Sequence, residues 1–110
     1  MRSPTLLPLL LWLLLAAAGA PAAAQDVAAG RAKAAACAVC HGALGLSSQP
    51  DAPNLAGQPA IYLAAQLRAY RSGARRHEVM GVMAKPLSDA EIIDLAAWYA
   101  AIEIKANAPP

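Results

Sequence analysis

The 110-residue sequence contains no phenylalanine, only two cysteines and only two histidines. Runs of β-branched residues that reach the length of a strand are also missing, so the sequence predicts no βαβ unit. Neither sign of charge dominates, because nine lysines and arginines stand against seven aspartates and glutamates. This balance excludes the strongly basic profile of a nucleic-acid-binding protein. The chain is rich in alanine, and its most distinctive residues lie in one pentapeptide.

That pentapeptide is Cys37-Ala38-Val39-Cys40-His41, which has the C-x-x-C-H form of the attachment site for c-type haem. On a helical turn, residues i and i+3 share a face, so both sulfurs can reach neighbouring pyrrole rings. We expect Cys37 and Cys40 to add across the two vinyl groups as thioethers and to hold one haem c covalently. His41 is then expected to lie beneath the iron and to supply an axial imidazole nitrogen.

Other sites that use C-x-x-C fit this sequence less well. A thioredoxin-like redox site belongs near a βαβ pattern, which the sequence does not predict. A structural zinc site needs a second pair of ligands, and the only other histidine is His77. A disulfide between Cys37 and Cys40 would close a very short loop and would constrain the unfolded chain little.

Residues 1–24 have the organisation of a secretory signal peptide. Arg2 forms a short positive region, residues 6–18 form a strongly apolar one, and a run of alanines ends at Ala24. We expect cleavage after Ala24, which leaves residues 25–110 as one domain in the periplasm. Bacterial c-type haem is attached outside the cytoplasmic membrane, so a leader and C-x-x-C-H support each other. The alternative to cleavage is that residues 1–24 remain attached and serve as a membrane anchor.

Local signals predict an all-α domain with three main helices packed around the haem and irregular loops between them. The expected helices run from the N-cap Asp26 to about Cys37, over Ala60–Ser72, and onward from a capping box at Ser88 and Glu91. The glycine- and proline-rich residues 42–59 and the stretch 74–87 are predicted to be irregular. Because the domain is small and its core side chains are mostly methyl-sized, we expect the haem-free protein to fold poorly.

Helical spacing predicts which side chains face the core. In the last helix these are Ile92, Leu95, Ala96, Tyr99 and Ile102. In the second helix, the expected apolar positions are Ile61, Tyr62, Ala64, Ala65, Gln66 and Ala69, with Arg68 and Arg71 toward solvent.

The second axial position of the iron has three candidates in one segment. Met80, Met83 and His77 all follow the second helix, and spacing alone does not separate the two methionines. A methionine sulfur stabilises the ferrous state and raises the reduction potential, which suits electron transfer. At least one of the two methionines must merely pack against the porphyrin.

Several further motifs occur in a fixed order along the chain. They are Pro53-Asn54-Leu55-Ala56-Gly57-Gln58, Tyr62-Leu63-x-x-Gln66-Leu67-x-x-Tyr70-Arg71-x-Gly73, Met80-x-x-Met83 and Leu87-Ser88-Asp89-x-Glu91-Ile92-x-x-Leu95-Ala96-Ala97-Trp98-Tyr99. With C-x-x-C-H they cover most of residues 25–110, and the chain resembles a class I cytochrome c. It is most similar to the small bacterial monohaem members and to single halves of the two-haem c-four group.

The resemblance implies roles for particular residues. It makes Met80 the axial ligand, with Met83 in reserve, and makes the Pro53 carbonyl the hydrogen-bond acceptor for the His41 imidazole. Such contacts around a ligand fix its orientation and basicity. The resemblance also implies that Gly30 in the first helix packs against Trp98 in the last.

The expected function is electron transfer in the periplasm by one haem c that cycles between Fe(III) and Fe(II). The expected partners are redox proteins such as a membrane oxidase, a reductase or a dehydrogenase complex, and neither enzymatic activity nor a small-molecule substrate is expected. Two alternatives stay open: a haem enzyme or gas-binding protein with an open sixth position, and a cytochrome subunit of a larger dehydrogenase or oxidase complex.

A basic cluster surrounds the second helix and consists of Arg68, Arg71, Arg75, Arg76 and Lys85. The simpler interpretation is a solvated helix face. The alternative is that one or two of these cations pair with haem propionates or with an acidic partner.

Overall fold

The computed structural model describes residues 24–110 and shows an all-α domain. Its helices are α1 (Val27–Lys33), α2 (Ala38–His41), α3 (Ala60–Ser72), α4 (Glu78–Ala84) and α5 (Asp89–Ala100), and a 3₁₀ turn (Ala34–Ala36) joins α1 to α2. The predicted fold class is confirmed. The predicted signal peptide lies outside the described residues apart from its last position. Within residues 24–110, no helix combines the length and the apolar character needed to cross a membrane.

Helices α1 and α5 pack tightly against each other at Gly30. Asp26 begins α1 as predicted, because its carboxylate accepts a hydrogen bond from the Ala29 amide at 2.9 Å. The amide of Asp26 in turn donates to the carboxylate of Asp94 in α5 at 2.9 Å. A β-carbon on Gly30 would clash with the Asp94 backbone and would lie 2.9 Å from Cβ of Trp98. The glycine therefore allows the close crossing of the two helices.

The core forms where α3 meets α5. Ile92, Leu95, Ala96 and Tyr99 of α5 are buried as predicted, and Ile102 packs against the same cluster. The face predicted for α3 is only partly right, because Ile61, Tyr62 and Ala65 are exposed, Ile61 by 84%. Ala64 is buried as predicted, and the other buried side chain of this helix is Leu63. Apolar side chains occur on every side of this helix, so the apolar pattern does not identify the face that meets α5.

Arg71 also differs from the prediction that it points into solvent. Its guanidinium donates to the Leu87 carbonyl at 2.9 Å and to the Asp89 carboxylate at 2.6 Å. The contact ties the end of α3 to the beginning of α5. The beginning of α5 also has the predicted capping box, in which the Ser88 hydroxyl and the Glu91 carboxylate each accept from the other residue's amide.

Helix α4 corrects the prediction that residues 74–87 are irregular. The imidazole Nδ1 of His77 accepts a hydrogen bond from the Met80 amide at 3.2 Å and so caps the helix at its N-terminus. Glu78 in the first turn is favourable there because a negative charge interacts well with the positive end of the helix dipole. The sequence signal was weak because the cap is a histidine rather than Ser, Thr, Asp or Asn, and because Gly81 interrupts the segment.

Candidate haem-binding site

The residues of the C-x-x-C-H motif line one wall of a cavity of about 730 Å³. Cys37 lies at the junction of the 3₁₀ turn and α2, and Cys40 and His41 lie in α2. The side chains of both cysteines are half-buried. The cavity volume falls within the roughly 300–1,000 Å³ that is usual for ligand sites. The thiols and the imidazole therefore face a space large enough for a substantial group.

His41 is held in one orientation. Its side chain is buried, and its Nδ1 lies 2.8 Å from the carbonyl oxygen of Pro53. A carbonyl oxygen can only accept, so Nδ1 must carry the hydrogen and donate it. The other ring nitrogen, Nε2, then keeps its lone pair and is the form of imidazole that binds a metal ion.

Hydrogen bonds of the backbone and of two side chains hold the loop that carries Pro53 close to the motif. The Gly45 carbonyl accepts from the amides of Leu55 at 2.7 Å and Ala56 at 3.0 Å. The Ser47 hydroxyl donates to the Cys40 carbonyl at 2.9 Å, and the Ser47 amide donates to the Asn54 side chain at 2.7 Å. These bonds close residues 42–59 back onto α2, and they bring Pro53 next to His41.

Helix α4 supplies sulfur to the same cavity. Met80 and Met83 are both among its lining residues, and Met80 is the more buried of the two, since Met83 is 40% exposed. His77, the third candidate, also lines the cavity, but its Nδ1 is already engaged by the Met80 amide. The structure thus brings all the predicted site residues to one cavity: Cys37, Cys40, His41, Pro53, Met80 and Met83.

Tyr99 lines this cavity as well, and sequence reasoning assigned it only to the core. Its hydroxyl is buried and has no hydrogen-bond partner among residues 24–110. Burial raises the pKa of Tyr99. Burial also raises the pKa of the Cys37 thiol. The helical spacing of Tyr99 is that of a packing residue, so no sequence signal distinguished its hydroxyl.

The basic cluster is only partly a solvated face. Arg68 and Arg76 are exposed, whereas Arg71 is tied to Leu87 and Asp89. Arg75 lines the cavity, donates to the Gln66 side chain at 2.7 Å and lies over the ring of Tyr70 at 4.7 Å. One cation of the five is therefore held at the edge of the cavity.

The donor set and the walls of the cavity fit a haem group. Leucine and alanine side chains make up much of the wall, which suits a flat apolar macrocycle: Leu55, Leu63, Leu67, Leu95 and Ala96. Two thiols at the correct spacing, a buried imidazole with its Nε2 lone pair kept, and thioether side chains in the same cavity complete the site. A buried hydroxyl without a partner also indicates that a polar atom of a ligand belongs nearby. The fold and the site together define a c-type haem protein.

Comparison with known proteins identifies the family. Residues 27–101 match the family described as cytochrome c, and the chain belongs to it. It is 45% identical over 83 residues to cytochrome c-554(548) of Halomonas halodenitrificans, covering 73% of this chain and 100% of that protein. It is 43% identical over 90 residues to the thiosulfate dehydrogenase electron acceptor of Thiomonas intermedia, covering 81% of this chain and 42% of that protein.

A solved structure agrees with this assignment. Reduced recombinant cytochrome c4 from Pseudomonas stutzeri superposes with a TM-score of 0.69 at 37% identity, over 73% of this chain and 47% of that one. The chain thus spans the whole of one relative and about half the length of the others, as the resemblance to one half of the c-four group implied. Membership of the family gives the chain its class I cytochrome c fold, its covalently bound haem c and its role in electron transfer.

Proposed function

We propose that the chain is a periplasmic electron carrier in which Cys37 and Cys40 hold one haem c and His41 and Met80 bind its iron. The observation that carries this proposal is the buried His41, whose Nδ1 is fixed on Pro53 at 2.8 Å in a cavity shared with both cysteines and Met80. When bound, the haem supplies a reversible one-electron couple between Fe(III) and Fe(II). With residues 1–24 removed as a leader, residues 25–110 form the working domain.

The residues of the site each contribute to that role. Pro53 keeps the His41 imidazole in the tautomer and orientation that a proximal ligand needs. The leucine and alanine walls would keep water from a bound haem, which would favour the less charged ferrous state. A methionine on the other side would also favour Fe(II), because thioether sulfur is a soft ligand. The arrangement suits a carrier that accepts and releases electrons without binding a substrate.

Met80 rather than Met83 is the proposed ligand, with Met83 as the reserve. Met80 is the more buried, and its amide is fixed on His77 at the beginning of α4. We predict that Met80→Leu abolishes the iron–sulfur charge-transfer absorption of the oxidised protein, whereas Met83→Leu retains it. Leucine is close to methionine in volume, so the two variants form a matched pair with little change in packing. The reverse result would make Met83 the ligand.

The main alternative is a haem enzyme or gas-binding protein with an open sixth position. Carbon monoxide distinguishes the two, because a bound Met80 must leave before the ferrous iron can take the gas. We expect slow or no binding by the wild-type protein and faster binding by Met80→Leu. A pyridine haemochrome spectrum of the same samples measures covalent haem directly. Rapid binding by the wild-type protein would favour the alternative.

Of the expected partner classes, which are an oxidase, a reductase and a dehydrogenase, one has support from a relative of the chain. The relative from Thiomonas intermedia is named as the electron acceptor of thiosulfate dehydrogenase, which favours this class. The chain covers only 42% of that relative, so a shared partner is part of this proposal. To test the idea, the haem-loaded chain is mixed with purified thiosulfate dehydrogenase and thiosulfate, and its reduction is monitored by the visible absorption of its haem. No reduction on mixing would exclude that enzyme as the donor.

A further inference from the structure

The hydroxyl of Tyr99 is a buried polar atom that residues 24–110 leave without a hydrogen-bond partner. The Tyr99 side chain is only 3% exposed, it lines the cavity, and its oxygen has no hydrogen-bond partner among residues 24–110. Leaving such a group unpaired is unfavourable, and phenylalanine would fill the same space without that cost. The hydroxyl therefore belongs opposite an acceptor that becomes available when the site is loaded.

The position of the Tyr99 ring is fixed on two sides. A β-carbon on Gly45 would lie 2.8 Å from Cδ1 of the ring, so the glycine backbone is in close contact with it. The Tyr99 carbonyl accepts from the Gly57 amide at 2.9 Å, which anchors the backbone of the same residue. The ring cannot move its hydroxyl far from where it now lies.

Of the two cysteines, Cys37 is the one that packs against the core cluster that contains Tyr99. The side chains of Cys37 and Tyr99 both line the cavity. When a thiol adds to a vinyl group, its sulfur bonds to one vinyl carbon and its hydrogen goes to the other. The sulfur that remains has no hydrogen to donate, and its lone pairs are weak acceptors. Only the tyrosine can then be the donor.

We propose that the Tyr99 hydroxyl donates a hydrogen bond to the thioether sulfur of Cys37 in the haem-loaded protein. The inference rests on the proposed attachment of haem through Cys37. Tyr99 acts on the haem through this sulfur and is a positioning residue. A donor at the sulfur withdraws electron density from the adjoining pyrrole and favours Fe(II), because hydrogen bonds around a redox centre tune its potential.

The test compares Tyr99→Phe with Tyr62→Phe in the haem-loaded protein. Tyr62 also lines the cavity but is 47% exposed, so its hydroxyl can bond to water and its loss is the matched control. We expect Tyr99→Phe to lower both the reduction potential and the midpoint of thermal unfolding, and to lower each by more than Tyr62→Phe does. If Tyr99→Phe leaves the potential unchanged or raises the unfolding midpoint, the hydroxyl has no partner in the loaded protein and the proposal fails.

Proton NMR of the reduced wild-type protein provides a second measurement that needs no variant. We expect a slowly exchanging Tyr99 hydroxyl proton with cross-peaks to the β-protons of Cys37. Cross-peaks to a haem propionate instead would assign the hydroxyl to a different acceptor and overturn the proposal. A wild-type protein without covalent haem in the pyridine haemochrome assay would overturn the attachment itself, so the two failures are distinguishable.

Discussion

Two helical glycines in this chain have opposite surroundings. Gly30 in α1 faces the backbone of Asp94 and the side chain of Trp98, whereas nothing lies within 4 Å of a β-carbon on Gly81 in α4. We predict that Gly30→Ala destabilises the haem-loaded protein by about 1–3 kcal/mol, because α1 and α5 must move apart. Gly81→Ala should instead stabilise it by roughly 0.5–1 kcal/mol, since alanine is the better helix former.

Denaturant unfolding of both variants, followed by the haem absorption, measures the two effects. Equal changes in the free energy of unfolding of the two variants would show that the close packing at Gly30 does not contribute to stability. The pair also separates tight packing from helix propensity, because both substitutions add the same methyl group to a helix.

At single positions, sequence reasoning worked where chemistry dictates spacing. The intervals between Cys37, Cys40 and His41 are set by the haem they attach, so the motif identified a shared site before any fold was known. Tyr99 shows the limit of this approach. Its spacing is that of any core residue of α5, and only the burial of its oxygen without a partner indicates a further role.

The helices differ in how well their local signals specify them. The capping box at Ser88 and Glu91 predicted the beginning of α5, because both reciprocal bonds depend on residues three apart. Helix α4 was missed, since its cap is the imidazole of His77. The buried face of α3 was partly wrong, because which side of an alanine-rich helix is buried depends on how it meets α5.

Glu91 links two helices and should make stability depend on pH. Its carboxylate lies 2.7 Å from the Lys33 ammonium of α1 and accepts from the Ser88 amide at 2.9 Å. The contact with Lys33, followed by the Ser88 amide, lowers the pKa of Glu91. Because the pKa is lower in the folded state, the ionised carboxylate stabilises the fold at any pH above the pKa that glutamate has in the unfolded chain. This stabilisation is lost as the pH falls through the lower pKa of the folded state.

We therefore predict that the wild-type protein loses stability on acidification below the ordinary glutamate range and that Glu91→Gln removes part of this loss. Glu103→Gln is the control, because Glu103 lies beyond the end of α5 and in an exposed position. Thermal unfolding of the three haem-loaded proteins across a series of pH values measures the difference. Parallel pH profiles for Glu91→Gln and the wild type would contradict the prediction.

The domain as a whole has too small an apolar core to be stable without its ligand. Six of the ten buried hydrophobic residues in the described chain are alanines, and three of the other four, Leu63, Leu95 and Tyr99, line the cavity of about 730 Å³. Small domains bury a low fraction of their surface, so loss of the group that fills the cavity should be severe. We predict that protein produced without haem keeps some helix but shows no cooperative thermal unfolding. A sharp, near-native transition by circular dichroism would contradict this.

The mouth of the cavity is the surface through which we expect electrons to leave. Four apolar or aromatic side chains both line the cavity and remain at least 40% exposed: Val39, Tyr62, Val79 and Met83. An exposed apolar rim of this kind is typical of a contact surface for a protein partner. Electron self-exchange between oxidised and reduced copies of the chain tests this surface without knowledge of the natural partner.

A lysine at the rim should slow that exchange by charge repulsion. In Val39→Lys, two copies that approach mouth to mouth bring like charges together, which is unfavourable at low ionic strength. We predict a several-fold slower self-exchange that recovers as salt shortens the screening length to about 10 Å near 0.1 M. Val27→Lys is the control, because Val27 is 42% exposed but does not line the cavity. NMR line widths in partly reduced samples give the self-exchange rates. Equal slowing in both variants would show that electrons do not leave through the mouth of the cavity.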